Sequence, residues 1–247
     1  MRLTPKVRSR LTALEGRPVN FDPDSLDPEA PPPGWHLDHR FQPLVREAPG
    51  PPEPQGSWEI ARRLIRGYEF ADPSIVRAFY DERGPLEGRT MLLELRALNL
   101  VKVYVGVRVG SVYDELRTVD AREVRVFGWN YRTLEGHVER GQMNWEVWKW
   151  FDSGQVCFHV HSVSRTATIR NPAIRVGFWL LRGHERAVFL GSTERRMRLL
   201  TEAGLRREGR AERIRDASHE LTARRLPAKD QSHEAVARRL EGADDRR

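Results

Sequence analysis

His137 and Glu139 stand two positions apart between Gly136 and Gly141, inside the run YRTLEGHVERG from Tyr131 to Gly141. An imidazole beside a carboxylate keeps its proton to higher pH, so such a pair could move a proton to or from a bound group. The same residues also read as a turn held by polar side chains, with the glycines supplying left-handed dihedrals. Arg165 follows Ser164 at the end of VCFHVHSVSR, where His159 and His161 alternate with apolar residues. In a strand, His159, His161 and Arg165 share a face. The arginine could hold a carboxylate or phosphate through its two-pronged guanidinium, or pair with Glu139 or the start of the next helix. Two imidazoles on one face are two metal ligands, but no third stands at a fitting spacing. No metal and no cofactor is therefore assigned.

Trp129, Trp145, Trp148 and Trp150 lie beside Arg132 and Lys149. Indoles next to cations can stack on nucleobases. Tryptophans on alternating strands also serve as core, or as a surface covered by another segment. Neither a G-x-S-x-G elbow nor a glycine-rich phosphate loop occurs, and Cys157 is the only cysteine, so no nucleophile motif stands out.

These residues need strands to position them. Val101, Val103, Val105, Val107 and Val109 alternate with Lys102, Tyr104, Gly106 and Arg108, the period of a half-buried strand. Thr90 onward, Glu123–Tyr131, Met143–Phe151 and Val156–Ser164 read as further strands, with a turn near Asn99 and another at Asp152-Ser153-Gly154. Short connections between successive strands imply an antiparallel sheet. The faces carrying Val101–Val109, Met143, Trp145, Val147, Val156, Phe158 and Val160 are the apolar ones. They are expected to face a long helix, leaving Glu146, Trp148, Trp150, His159 and His161 outward and in need of cover. That helix starts at Asn171-Pro172, a cap followed by a first-turn proline, and runs to about Leu205. Ile174, Phe178, Leu181, Val188, Leu190, Met197 and Leu200 mark its apolar side.

Upstream, Trp58–Phe70 is read as a strand, and Asp72-Pro73 as the start of a short helix over SIVRAFY. Residues 1–56 hold two proline clusters and scattered apolar anchors, which predicts an extended arm, partly docked, with Met1–Arg10 loose. Residues 57–207 form the expected domain, and residues 208–247 a charged, largely mobile tail.

The formal net charge is +7, and residues 171–207 alone carry 8 Lys/Arg against 3 Asp/Glu. A basic helix can attract nucleic acid or be a solvated face, and the second reading is preferred. No run approaches the ~18 apolar residues of a membrane span. With one cysteine and no secretory leader pattern, a cytoplasmic location is expected.

A short helix, a curved antiparallel sheet and one long C-terminal helix make an α+β, helix-grip arrangement that resembles the Bet v 1/START-like superfamily. Within it, the chain is similar to a bacterial and plant family catalogued as DUF1990. The resemblance rests on Tyr131, Thr133, Leu134, Gly136, His137, Glu139 and Gly141, then Ser164-Arg165 and the helix. Arg132, Gln142, Met143 and Thr166 depart from the family's pattern. The fold relatives mostly bind lipophilic small molecules, and some are cyclases or hydrolases. The resemblance thus implies a small-molecule binding protein with a cavity between sheet and helix. The site is expected at Tyr131, Arg132, Thr133, His137, Glu139, Ser164 and Arg165. A hydrolase or cyclase-like enzyme using His137 and Glu139, and an interaction module using the basic helix, stay open. So does a homodimer.

Overall fold

The computed structural model describes residues 4–27, 30–97, 101–167 and 172–206. Seven strands form one antiparallel sheet: β1 (His36–Pro43), β2 (Val76–Phe79), β3 (Thr90–Ala97), β4 (Val101–Val119), β5 (Arg122–Thr133), β6 (Glu139–Trp150) and β7 (Val156–Thr166). Their order across the sheet is β1-β7-β6-β5-β4-β3-β2. Three helices accompany them: α1 (Pro5–Glu15), α2 (Ser57–Arg66) and α3 (Pro172–Arg206). The fold is the expected one, a curved antiparallel sheet with a long C-terminal helix.

The valine alternation and the expected inner faces hold. Val105, Val107, Val109, Met143, Trp145, Val147, Val156, Phe158 and Val160 form one core with Leu190, Met197 and Leu200 of α3. Val188 instead lies on the exposed side of α3. The side chains of Ile174, Phe178 and Leu181, together with Asn99, Asn171 and the tail 208–247, lie outside the described residues. The link from β4 to β5 is a two-residue turn. Asp120 and Ala121 both have positive φ, 50° and 59°, the geometry that matches the twist of a hairpin.

Two elements differ from the sequence reading. Ser57–Arg66 is a helix, not a strand. Trp58, Ala61, Leu64 and Ile65 recur at helical spacing and are all buried, while Arg62, Arg63 and Arg66 lie on the other side, so the 3.6-residue period wins. Its N-terminus is capped from a distance: the Glu47 carboxylate accepts the Trp58 N–H at 2.7 Å and meets Lys149 Nζ at 2.9 Å. Val76–Phe79 is a strand, not a helix. Asp72 does cap a turn, accepting the Ser74 N–H at 3.0 Å. The β-branched pair Ile75-Val76 then leads into pairing with β3.

The proline-bearing N-terminal segment contributes real elements. Pro5–Glu15 is helical rather than loose, with Thr4 capping it through a hydrogen bond from the Val7 N–H. Leu11 and Leu14 bury against Phe79, Leu92 and Leu134 on the sheet's outer side. Leu14 packs directly over Gly106, where an added side chain would have to displace it. β1 pairs along its length with β7 and becomes an edge of the sheet.

Candidate functional site

Along β7 the side chains alternate, and the two faces differ in chemistry. Phe158 and Val160 join the core, and Ser162 and Ser164 continue that inner face toward α3. There Arg186 gathers four groups. Its guanidinium donates to Asp38 Oδ2 from Nε at 2.7 Å, to Ser162 Oγ at 2.6 Å and to Ser164 Oγ at 3.0 Å. Glu139 Oε1 stands 3.6 Å away. Two carboxylates thus face one guanidinium, and its donors are spent within the protein.

Beneath this rim lies an aromatic wall. Tyr68, Phe70, Trp129, Tyr131, Trp145 and Phe158 are all buried, and their ring centroids stand 4.5–6.5 Å from neighbours. Phe189 of α3 closes edge-on to Trp145 at 6.2 Å. Polar atoms in such a place normally find partners. Trp129 Nε1 donates to the Ile65 carbonyl at 3.0 Å, and Trp58 Nε1 to that of Val147 at 3.2 Å. Two atoms do not. Trp145 Nε1 and Thr193 Oγ1 are buried and without a hydrogen-bond partner, and the buried Tyr68 hydroxyl has only the Tyr131 hydroxyl beside it. The Tyr131 hydroxyl donates to Met143 Sδ at 3.3 Å and also interacts with the Tyr68 hydroxyl. Burial and the neighbouring Tyr131 raise Tyr68 well above the usual phenol range. Burial likewise raises Tyr131, with the Glu139 charge adding to it.

The residues singled out in the sequence separate. Tyr131 is in the aromatic wall, and Glu139 and Ser164 reach Arg186. Thr133 is engaged in a latch: its Oγ1 accepts the Gly141 N–H at 2.9 Å and donates to Asn20 Oδ1 at 2.6 Å. Asn20 Nδ2 in turn donates to the Glu139 carbonyl at 2.9 Å. His137 Nδ1 accepts the Glu139 backbone N–H at 2.9 Å, so the contact that joins these two residues is one of turn geometry. Burial lowers the His137 pKa to about 4, which keeps the ring neutral at pH 7. Arg132 donates to Gln142 Oε1 at 3.0 Å. Arg165 is exposed, with its guanidinium 5.0 Å from the centre of the Trp35 ring. Strand alternation sets it on the face opposite Ser164. The structure thus brings Tyr131, Glu139 and Ser164 toward one side and leaves Arg132 and Arg165 on the other.

Arg186 and Asp38 were missed in the sequence. A signal for the first existed: Arg186 falls four, seven and eleven positions before Leu190, Thr193 and Met197. It therefore sits on the buried stripe, where a charge is out of place. Arg196 shares that side and donates to the Glu69 carbonyl at 3.0 Å. Arg198 and Arg206 approach Glu202, so several arginines of the basic helix have internal partners.

The outer face has its own cluster. Glu146 accepts from Tyr113 at 2.5 Å, Arg117 at 3.1 Å and Trp148 at 2.7 Å, and His159 Nδ1 lies 2.8 Å away. Burial raises the Glu146 pKa, but these hydrogen bonds and the Arg117 charge outweigh it and bring it to about 2. The cover that this face needed comes from β1. Phe41 stacks on His159 at 4.0 Å and His39 on His161 at 4.3 Å. Among the described residues no group of three or more His, Cys, Asp or Glu side chains is placed to hold a metal ion.

A seven-stranded antiparallel sheet packed against a long C-terminal helix is a helix-grip arrangement. The chain belongs to the family described as Domain of unknown function (DUF1990), whose model matches residues 23–188. Three solved structures are similar to it. Ara h 8.0201 is 11% identical with a TM-score of 0.35, over 66% of this chain and 98% of that one. TTHA0849 from Thermus thermophilus is 14% identical with a TM-score of 0.37, over 66% and 96%. An uncharacterised protein from Rhizobium leguminosarum is 9% identical with a TM-score of 0.27, over 66% and 97%. No curated protein matches the chain. Among the described residues no helix is long and apolar enough to cross a membrane.

Proposed function

We propose that this protein is a small-molecule binding module whose ligand lies between the inner sheet face and α3. One observation carries the reading: Trp145 Nε1 and Thr193 Oγ1 are buried on that side without partners. An orphaned buried polar group costs about 1–3 kcal/mol, and a ligand that satisfies it recovers that cost. Aromatic walls with a few convergent polar groups are what small-molecule sites are made of. Tyr131, Glu139 and Ser164, with Arg186 and Asp38, form the polar rim, and the aromatic wall takes the apolar body. A cytoplasmic setting belongs to the same proposal, supported by a single, buried cysteine.

Two measurements test it. Native mass spectrometry of freshly purified protein should show a co-purified small molecule. Indole N–H resonances, with Trp145 assigned through Trp145→Phe, should move when that molecule is removed and restored. A clean apo mass, together with a Trp145 resonance unmoved by any apolar probe, would remove the proposal.

A further inference from the structure

We infer that the ligand is uncharged and presents an oxygen acceptor to the Trp145 indole N–H, with Tyr68 and Thr193 as secondary partners. The inference rests on the binding reading above and names the class of molecule.

An indole N–H donates and never accepts, whereas tyrosine and threonine hydroxyls do both. A ligand atom beside Trp145 Nε1 must therefore be an acceptor, which excludes an ammonium group or an amide nitrogen at that point. The three atoms are grouped by their carriers. The rings of Tyr68 and Trp145 meet edge to face at 6.1 Å. Phe189 touches the Trp145 ring from α3, and Thr193 follows it one helical turn on.

Charge comes next. A carboxylate or phosphate would need a cation to offset its desolvation. The guanidinium at the rim of this face, Arg186, is already engaged by Asp38, Ser162 and Ser164, and Glu139 lies beside it. Arg196, also buried on α3, is committed to the Glu69 carbonyl. A second anion would meet two carboxylates at the rim and no uncommitted guanidinium between these two. A carbonyl or hydroxyl oxygen carries no such penalty.

Tyr68 adds an independent observation. It stands at φ 57°, just beyond the Gly67 cap of α2. The left-handed region is costly for a bulky side chain and persists where the surroundings impose it. Here the Tyr68 N–H is tied to the Ile65 carbonyl at 3.1 Å and the Glu69 N–H to that of Leu64 at 3.0 Å. That closure of α2 is what sends the phenol into the aromatic wall, where its hydroxyl lies beside that of Tyr131. A hydroxyl delivered there at backbone cost, with only another phenol beside it, keeps the capacity to donate to or accept from a bound group.

The test uses the full chain and four probes of one shape: naphthalene, 2-naphthol, 2-acetylnaphthalene and 2-naphthoate. Affinities come from calorimetry and from the Trp145 indole resonance. The two neutral oxygen-bearing probes should bind about tenfold tighter than naphthalene, the worth of one hydrogen bond to an otherwise orphaned group. They should shift the Trp145 N–H downfield, and 2-naphthoate should be the weakest. Trp145→Phe should erase the preference for oxygen while naphthalene still binds. Tyr68→Phe removes an oxygen whose neighbour is only the Tyr131 hydroxyl, so it should change melting little yet hold 2-naphthol less tightly. Equal binding of all four, or preference for 2-naphthoate, overturns the assigned class and leaves the binding reading standing. Failure of all four to bind, together with a clean apo mass, removes both.

Discussion

Arg186 on α3 and Asp38 on β1 are 148 positions apart and meet through a hydrogen bond of 2.7 Å from Nε to Oδ2. This contact joins the C-terminal helix to an edge strand of the sheet. Ser162 reinforces it by donating to the same Asp38 oxygen at 3.1 Å. Arg186→Met should cost about 1–3 kcal/mol in urea unfolding, below the full penalty of a deeply buried pair because both side chains keep some solvent contact. The double variant with Asp38→Asn should cost less than the two single changes added together, since it removes both halves of the pair. Strict additivity would show the two residues to be energetically separate.

Lys149 and Glu47 make a second long-range tie, 102 positions apart and almost wholly out of water. Besides the carboxylate, Lys149 Nζ donates to the Ala48 carbonyl at 2.7 Å. Lys149→Met strands a buried carboxylate that also caps α2, and should lower stability by about 3–5 kcal/mol. Adding Glu47→Gln should restore part of the loss. A Lys149→Met protein with unchanged denaturation midpoint would contradict the assignment of this pair as the anchor of residues 44–56.

Acid should unfold the protein in two windows. Burial lowers His137 from 6.5 to about 4, so the unfolded chain takes up a proton there more readily than the folded one. Its contribution is complete above pH 6.5 and is lost as pH falls through 4. Glu146, lowered from 4.5 to about 2, contributes fully above pH 4.5 and loses that contribution as pH falls toward 2. Together the two windows should remove about 2–4 kcal/mol, roughly half of what the shifts alone imply, because the His137 ring is not wholly out of water. Melting temperature against pH gives the measurement. His137→Gln should flatten only the upper window; an unchanged slope between pH 6.5 and 4 would show that His137 does not titrate in this way.

Gly141 lies within β6 at φ 153°. A methyl group there would run into the Val163 carbonyl and Ser164 of the paired strand. Gly141→Ala should therefore cost more than about 3 kcal/mol, well beyond an ordinary surface change. It should also loosen the Thr133 latch, seen as faster hydrogen exchange at the Gly141 and Asn20 amides. Parent-like stability would mean that the strand can yield at this point.

Arg165→Ala separates the two faces. The guanidinium lies over Trp35 in the open, so the change should cost less than about 1 kcal/mol. Because Arg165 points away from Arg186, retention of the co-purified molecule should also be unaffected. Loss of that molecule in Arg165→Ala would move the site to the outer face.

The strands from Thr90 to Thr166 and the start of α3 were legible because each depends on local chemistry. Alternation of period two, the Asp152-Ser153-Gly154 turn and proline in the first helical turn act within a few residues. The apolar inner face of β4, β6 and β7 followed from the same alternation. By itself, then, the sequence determined a hairpin-connected sheet, its inward face and the long helix. The segment around Trp58 was harder, since a ten-residue stretch with apolar residues at 58, 60, 61, 64 and 65 serves either period. It is a helix because the sheet and α3 leave room for one buried stripe, and because Glu47 caps its start from another part of the chain. Tertiary structure alone decided the rest. Asp38 is one polar residue in HLDHRFQP until β1 pairs beside β7 and places it under Arg186. Tyr68, Trp145 and Thr193 lie in three separate segments, and no spacing relates them. Their burial, and the lack of partners at Trp145 and Thr193, exist only once a helix crosses a curved sheet, because hydrogen-bond satisfaction is a property of three-dimensional neighbours and not of sequence position.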